Sequence, residues 1–236
     1  VTPSTIRRDL AQLTAAGEIA RTYGGAIAIS PYSERSLIQR SAEAFEAKRA
    51  IAVWAAAQVS AGDTVLLDAG STVGALAHEL RVMRDLVIVT PSLAAIGELA
   101  NAEGIRVESL GGTLRQLSQG FVGPLAEASL ERLTFDKLFL GADSVTAEDG
   151  ICEAELEQSR LKEMMIRRTR EVYVLAHAAK IGQRTFHSWT PMPQNWTLIT
   201  DDAVTSAQLT PFLARGVRVI VVDSEGRQSA PTDTAN

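Results

Sequence analysis

The stretch Thr64-Val65-Leu66-Leu67-Asp68-Ala69-Gly70-Ser71-Thr72 decides the fold. Its branched apolar residues read as a strand, and the acid that ends the run marks where the chain leaves the interior. Gly70 permits a close turn, and Ser71-Thr72 opens a helix expected to reach residue 80. The same unit recurs directly: residues 86–90 (Leu-Val-Ile-Val-Thr) read as a strand and residues 93–101 as a helix. Further strands are expected at 105–110, 137–140, 172–176, 197–200 and 217–222, with a helix at 155–168 and one long helix over about 36–59. Short β-branched runs alternating with helices of about ten residues give the α/β class, a mainly parallel sheet with helices on both faces.

Composition sets the remaining bounds. The 236 residues suit one large domain plus a small module. The boundaries read as an N-terminal module at 1–29, a linker at 30–35 around Pro31, an α/β domain at 36–224 and a flexible tail at 225–236. Net charge is −5 overall. Residues 1–22 carry Arg7, Arg8 and Arg21 against Asp9 and Glu18, or +1, leaving −6 for the rest. Such a body is a poor non-specific nucleic-acid binder, so any DNA contact is confined to the first segment. Cys152 is the single cysteine, which excludes an intrachain disulfide and fits a reducing cytoplasm. No apolar run approaches the roughly 20 residues that span a bilayer. No metal ion or cofactor is expected.

The first segment reads as a helix and a hairpin. Thr2 is a candidate N-cap and Pro3 suits the first helical position. Ile6, Leu10 and Leu13 form one apolar stripe, which turns Ser4, Thr5, Arg7 and Arg8 away from it. Gly17 ends the helix, and two short strands flank Gly24-Gly25. Hydroxyls and arginines at the front of such a helix reach base edges and phosphates in a major groove, and Arg21 would meet a flanking phosphate. A solvated helix with idle arginines is the alternative.

In open α/β sheets, ligands bind beyond the carboxyl ends of the strands. Those ends carry Asp68, Gly70, Ser71 and Thr72, then Thr90 and Ser92, then Gly111 and Gly112, then Gly141 and Asp143. Lys162 lies on the following helix, and Lys180 follows the strand ending at residue 176. Glycine, hydroxyls and a helix start suit an anion such as phosphate, while the acids and lysines suit a polyhydroxy ligand. Each feature also has a structural explanation: a cap, a plain turn or a solvated lysine.

Thr5-Ile-Arg-Arg-Asp-Leu10 followed by Gly17 and Arg21 to Ala26 resembles the end of the winged helix-turn-helix of DeoR-family bacterial repressors. A positioning helix precedes that stretch in the family, so a partial module is expected here, with weak DNA binding by this chain alone. The resemblance extends over the body through GDTVLLDAGST (62–72), IVTPSL (88–93), LGG (110–112), FLGAD (139–143), Leu161-Lys162 and AKIG (179–182). It implies a sensor fold similar to ribose phosphate isomerase and control by a phosphorylated sugar or polyol. By it, Gly70, Ser71 and Thr72 hold phosphate, and Asp68, Asp143, Lys162 and Lys180 meet the sugar. It also implies operator DNA as partner and a homodimer or homotetramer. Pro91 stands where the family usually has Asn, Gln158 near a usual acid, and His177 in place of Asp. The alternatives are a sugar-phosphate isomerase or deaminase using Asp68 or Asp143 as base, and a sensor without DNA binding.

Overall fold

The computed structural model describes residues 34–231 and, before them, residues 5, 6, 8, 10, 19–22 and 25–28. The chain divides into two units between Arg35 and Ser36. In the first, residues 5, 6, 8 and 10 are helical, with Arg8 exposed. Strands β1 (Ile19–Thr22) and β2 (Gly25–Ala28) pair antiparallel, with Arg21 opposite Ala26. Thr2, Ser4, Arg7, Gly17 and Gly24 lie outside the described residues.

The second unit opens with two helices where the sequence suggested one. Helix α1 (Leu37–Ala42) starts in a capping box, in which Ser36 and Gln39 satisfy each other's backbone donors. Helix α2 (Phe45–Ala56) follows after Ala44, whose φ of 47° is left-handed and cannot continue a right-handed helix. The single expected helix over 36–59 is therefore corrected to a bent pair.

The main sheet is built from β3 (Thr64–Leu67), β4 (Leu86–Thr90), β5 (Ile105–Ser109), β8 (Phe135–Leu140), β11 (Thr169–Leu175), β13 (Thr197–Asp201), β14 (Arg218–Val222) and β15 (Gln228–Ser229). Its order is β15-β14-β13-β11-β8-β3-β4-β5. Every pairing is parallel except β14 with β15. Residues 228–229 thus form an edge strand within a stretch expected to be a flexible tail; residues 232–236 lie outside the described residues. Strands β3, β4 and β5 step one way across the sheet, and β8 onward step the other. The order therefore switches between β3 and β8.

Alternation along each strand sorts the core into two layers. Val65, Leu67, Ile88, Phe139 and Tyr173 pack with α2, α3 (Ser71–Leu80) and α4 (Leu93–Leu99). Leu66, Val89, Leu138, Leu140 and Val174 face α5 (Pro124–Leu130), α6 (Leu156–Arg167) and α7 (Ser206–Ala214). Two smaller sheets extend beyond the carboxyl ends. One is the hairpin of β6 (Thr113–Arg115) and β7 (Gly120–Val122). The other joins β9 (Ser144–Thr146), β10 (Gly150–Glu153) and β12 (Ser188–Thr190).

Phe139 is fully buried and stacks on Tyr173 with ring centroids 4.9 Å apart. Replacing Phe139 by Ala removes that stack and leaves a cavity between sheet and helices. The expected loss is about 3–5 kcal/mol in denaturant unfolding, against under about 1 kcal/mol for an exposed Val82→Ala control.

Candidate functional site

The switch between β3 and β8 brings two strand ends together, the position where open α/β sheets bind ligands. Asp68 follows β3, and Gly141 and Asp143 follow β8. The Asp68 carboxylate accepts from the Gly141 N–H at 3.0 Å, which fastens one end to the other. Lys162, from the second turn of α6, completes the join. Its Nζ lies 2.5 Å from Asp68 Oδ2, 2.7 Å from Glu153 Oε1 and 2.7 Å from the Gly141 carbonyl oxygen. An ammonium has three protons, so all of its donors are engaged.

Lys162, Asp68 and Glu153 are each nearly inaccessible to solvent. Burial works against the charge on Lys162, but Asp68 and Glu153 outweigh it and hold the amine above its ordinary value. Two carboxyls share one ammonium. Burial pushes Glu153 up to about 8, opposed by Lys162 and helped by Asp143 and Asp68.

A second group of charges lies beside the first. Arg40 of α1 pairs with Asp143 at 3.1 Å, both side chains being largely buried. The second Asp143 oxygen, Oδ2, has no hydrogen-bond partner among the described residues. Lys180 donates to the Ala142 carbonyl at 2.5 Å, and Lys48 of α2 donates to the Arg40 carbonyl. Burial, then the neighbouring Lys180, lowers Lys48 to about 8. Burial also lowers Lys180, with Arg40 adding to the effect against Asp143. His177, depressed to about 4 by burial, Lys180 and Lys48, is neutral near pH 7. Counting Glu43, which acts on Lys48 and His177, the cations Arg40, Lys48 and Lys180 outnumber the carboxylates Asp143 and Glu43 in this group.

Lys48 also lines a cavity of about 580 Å³ with Leu37, Ser41, Phe45, Gly70 and Ser71. Gly70 is the N-cap of α3 and brings no capping side chain to the amides of the first turn. Ser71 is half-buried there and Thr72 is buried.

The other expected residues divide differently. The Thr90 hydroxyl donates to the Leu67 carbonyl at 2.7 Å and accepts from the Ser92 N–H at 3.0 Å. Ser92 caps α4 through the Ala95 N–H. Gly111 and Gly112 turn the chain into the hairpin; a Cβ on Gly112 would stand 2.5 Å from the Val122 carbonyl oxygen. These four hold the frame by internal contacts. Arg40, Lys48 and Glu153 were not read from the sequence. Lys48 had a signal, because it shares the apolar stripe of α2 with Ile51, Ala52 and Ala55. Glu153 ends a short strand as Asp68 does. Arg40 had none, since its role depends on the bend at Ala44. Among the described residues no group of His, Cys, Asp and Glu is placed to hold a metal, and no helix is long and apolar enough to cross a membrane.

The signs of these shifts give a pH dependence. The folded state binds the Glu153 proton more tightly than the unfolded chain, so this group's stabilisation is lost as pH rises from 4.5 to about 8. His177 acts oppositely, costing stability as pH falls from 6.5 through about 4. Between pH 6.5 and about 7 the Glu153 effect stands clear both of His177 and of Lys48, whose lowered value makes stability rise with pH from about 7 upward. Unfolding free energy is expected to fall across that narrow window at up to roughly 1 kcal/mol per pH unit. Glu153→Gln flattens the slope in urea titrations; an unchanged slope would remove Glu153 as its source.

Comparisons with known proteins bear on the family of the chain. Residues 43–202 match the family model described as the DeoR C terminal sensor domain, and residues 1–32 match the DeoR-like helix-turn-helix domain. The chain is 34% identical over 218 residues to the HTH-type transcriptional regulator GlpR of Haloferax volcanii, covering 92% of this chain and 85% of that protein. It is 33% identical over 205 residues to the lactose phosphotransferase system repressor of Streptococcus mutans, covering 85% and 81%. Among solved structures, ribose 5-phosphate isomerase A of Methanocaldococcus jannaschii is similar at a TM-score of 0.41 and 18% identity, over 56% of this chain and 52% of that one. With family models matching both its body and its first segment, the chain belongs to the DeoR family of transcriptional regulators.

Proposed function

We propose that this regulator is a repressor of a carbohydrate-utilisation operon, and that a phosphorylated sugar or polyol at the β3/β8 switch point controls it. The observation that carries the reading is the excess of positive charge there. Arg40 and Lys180 face Asp143, Lys48 lies beside them with Glu43 acting on it, and His177 is neutral, so three cations stand against two carboxylates. A phosphate supplies the missing counter-charge, and the uncapped first turn of α3 at Gly70, Ser71 and Thr72 supplies N–H donors and the favourable end of the helix dipole. Lys162, with its three donors engaged, and the Oδ2 atom of Asp68 act by fixing the strand ends rather than by seizing the phosphate. Thr90, Ser92, Gly111 and Gly112 serve the same frame. A relative named for lactose phosphotransferase repression supports carbohydrate control.

Arg40 gives the site an output. It lies on α1, the first helix after the division at Arg35, and its partner Asp143 lies in the site. A bound anion competes with Asp143 for Arg40 and shifts α1, so the ligand discriminates between two arrangements of the chain that leads to the DNA-binding segment. Operator DNA is then read by Ser4, Thr5, Arg7, Arg8 and Arg21, in a dimer or tetramer whose symmetry matches a palindrome. An isomerase would need a carboxylate open to substrate as base. Asp68 is held by Lys162 and Gly141, and Asp143 by Arg40.

Sugar phosphates are expected to raise the melting temperature while the unphosphorylated sugars do not. Lys180→Ala or Ser71→Ala should weaken that binding roughly tenfold without unfolding the protein. Equal shifts with and without phosphate would sink the phosphate site. In mobility-shift assays on DNA upstream of its own gene, the active sugar phosphate should change the bound fraction. Lys180→Ala should blunt the response. Failure of the full-length protein to bind that DNA at moderate salt would overturn the repressor reading.

A further inference from the structure

A small, partly open cavity lies beneath the β6–β7 hairpin, lined in part by Asp68, Pro91, Ser118, Gly120, Phe121 and Gln158. Its room is about 10 Å³, enough for one water-sized group. Two of its walls are polar side chains that the protein leaves unsatisfied. Ser118 Oγ and Gln158 Oε1 are buried and have no hydrogen-bond partner among the described residues. Ser118 is 1% exposed and Gln158 is 7% exposed. Buried polar groups of this kind cost free energy until something pairs with them.

The position of Ser118 is informative. It sits in the connection between β6 and β7, where hairpin tips ordinarily meet solvent. Here the tip is drawn in. Phe121 N–H donates to the Pro91 carbonyl at 2.8 Å, and Leu93 N–H donates to the Gln119 carbonyl at 2.9 Å. Gly120 presses on the Asp68–Gly70 turn so closely that a Cβ would stand 2.7 Å from the Ala69 Cβ. The hairpin therefore holds Ser118 over the end of β3, facing the first turn of α6 that carries Gln158.

We infer that Ser118, Gln158 and Asp68 form a slot for one hydroxyl group of the effector, adjoining its phosphate site. The inference rests on the sensor reading and names the part of the ligand that lies away from the phosphate. A hydroxyl fits because it both donates and accepts. Its proton goes to Gln158 Oε1 or to the carboxylate of Asp68, which offers acceptors only, and its oxygen takes the Ser118 proton. A carboxylate or second phosphate is refused, since it brings no proton to Asp68 and adds like charge beside it. A deoxy carbon is refused because it leaves the polar groups unpaired. The slot thus selects a neutral, hydroxylated tail. Pro91, which has no side-chain amide, leaves that selection to Ser118 and Gln158.

The test is titration calorimetry of the wild type, Gln158→Met and Ser118→Ala. The probes are inorganic phosphate and a panel of sugar and polyol phosphates, each with its deoxy counterparts. Both variants should lose roughly tenfold or more in affinity for the hydroxylated ligand while binding inorganic phosphate as before. In the wild type, one deoxy counterpart should show the same loss, and the variants should no longer distinguish that pair. Ser118→Ala removes a single oxygen and keeps the test decisive should Gln158→Met fold poorly. Variants that keep the wild-type preference, or lose phosphate and sugar phosphate equally, would overturn the slot while leaving the phosphate site standing. A wild type that binds neither phosphate nor any sugar phosphate would remove the sensor reading and the slot with it.

Discussion

A single ammonium, that of Lys162, holds together the chain that leaves the carboxyl ends of the sheet at the switch point. Its three protons go to Asp68 after β3, to the Gly141 carbonyl after β8 and to Glu153 at the end of β10, while its backbone belongs to α6. Four separate elements are thereby tied at one point beyond the carboxyl edge of the sheet. Buried charges are tolerable only when each is matched, so the cluster constrains all of its members at once. The strand ends at the topological switch cannot drift apart without exposing an unpaired acid or amine to an apolar surround.

That closed cluster explains why the lysines of this region differ in what they can do. Lys162 is satisfied and structural. Lys48 and Lys180 donate instead to main-chain carbonyls, with Glu43 acting on the first and Asp143 on the second through space. Residues that resemble one another in sequence therefore divide into a frame and the proposed receptor. The hydroxyls divide in the same way: Thr90 and Ser92 are spent on the turn into α4, whereas Ser118 is buried without a partner among the described residues.

Much of the architecture was legible in the chain. Val65, Leu66 and Leu67 form a continuous apolar run, which suits a strand covered on both faces, and the turn residues after it suit the start of a helix. The elements that escaped are short or lack a pattern. The strands of the β6–β7 hairpin and of the β9-β10-β12 sheet have three or four residues each, too few for alternation to emerge. The break between α1 and α2 escaped as well, because Ala44 carries no helix-breaking side chain. Lys48 was legible in principle, since a lysine on the apolar stripe of a helix must be buried or paired.

The sequence by itself determined the class of fold and the family of the chain, and named the polar residues at the strand ends, because local patterning and short motifs are properties of neighbouring residues. Only the tertiary structure decided which of those polar residues are spent on one another and which remain for a ligand. Asp68 and Lys162 stand 94 positions apart, and Arg40 and Asp143 stand 103 apart. Pairing over such separations depends on strand order and on burial. No local pattern encodes it, because the stabilisation of a buried charge depends on what surrounds it in space.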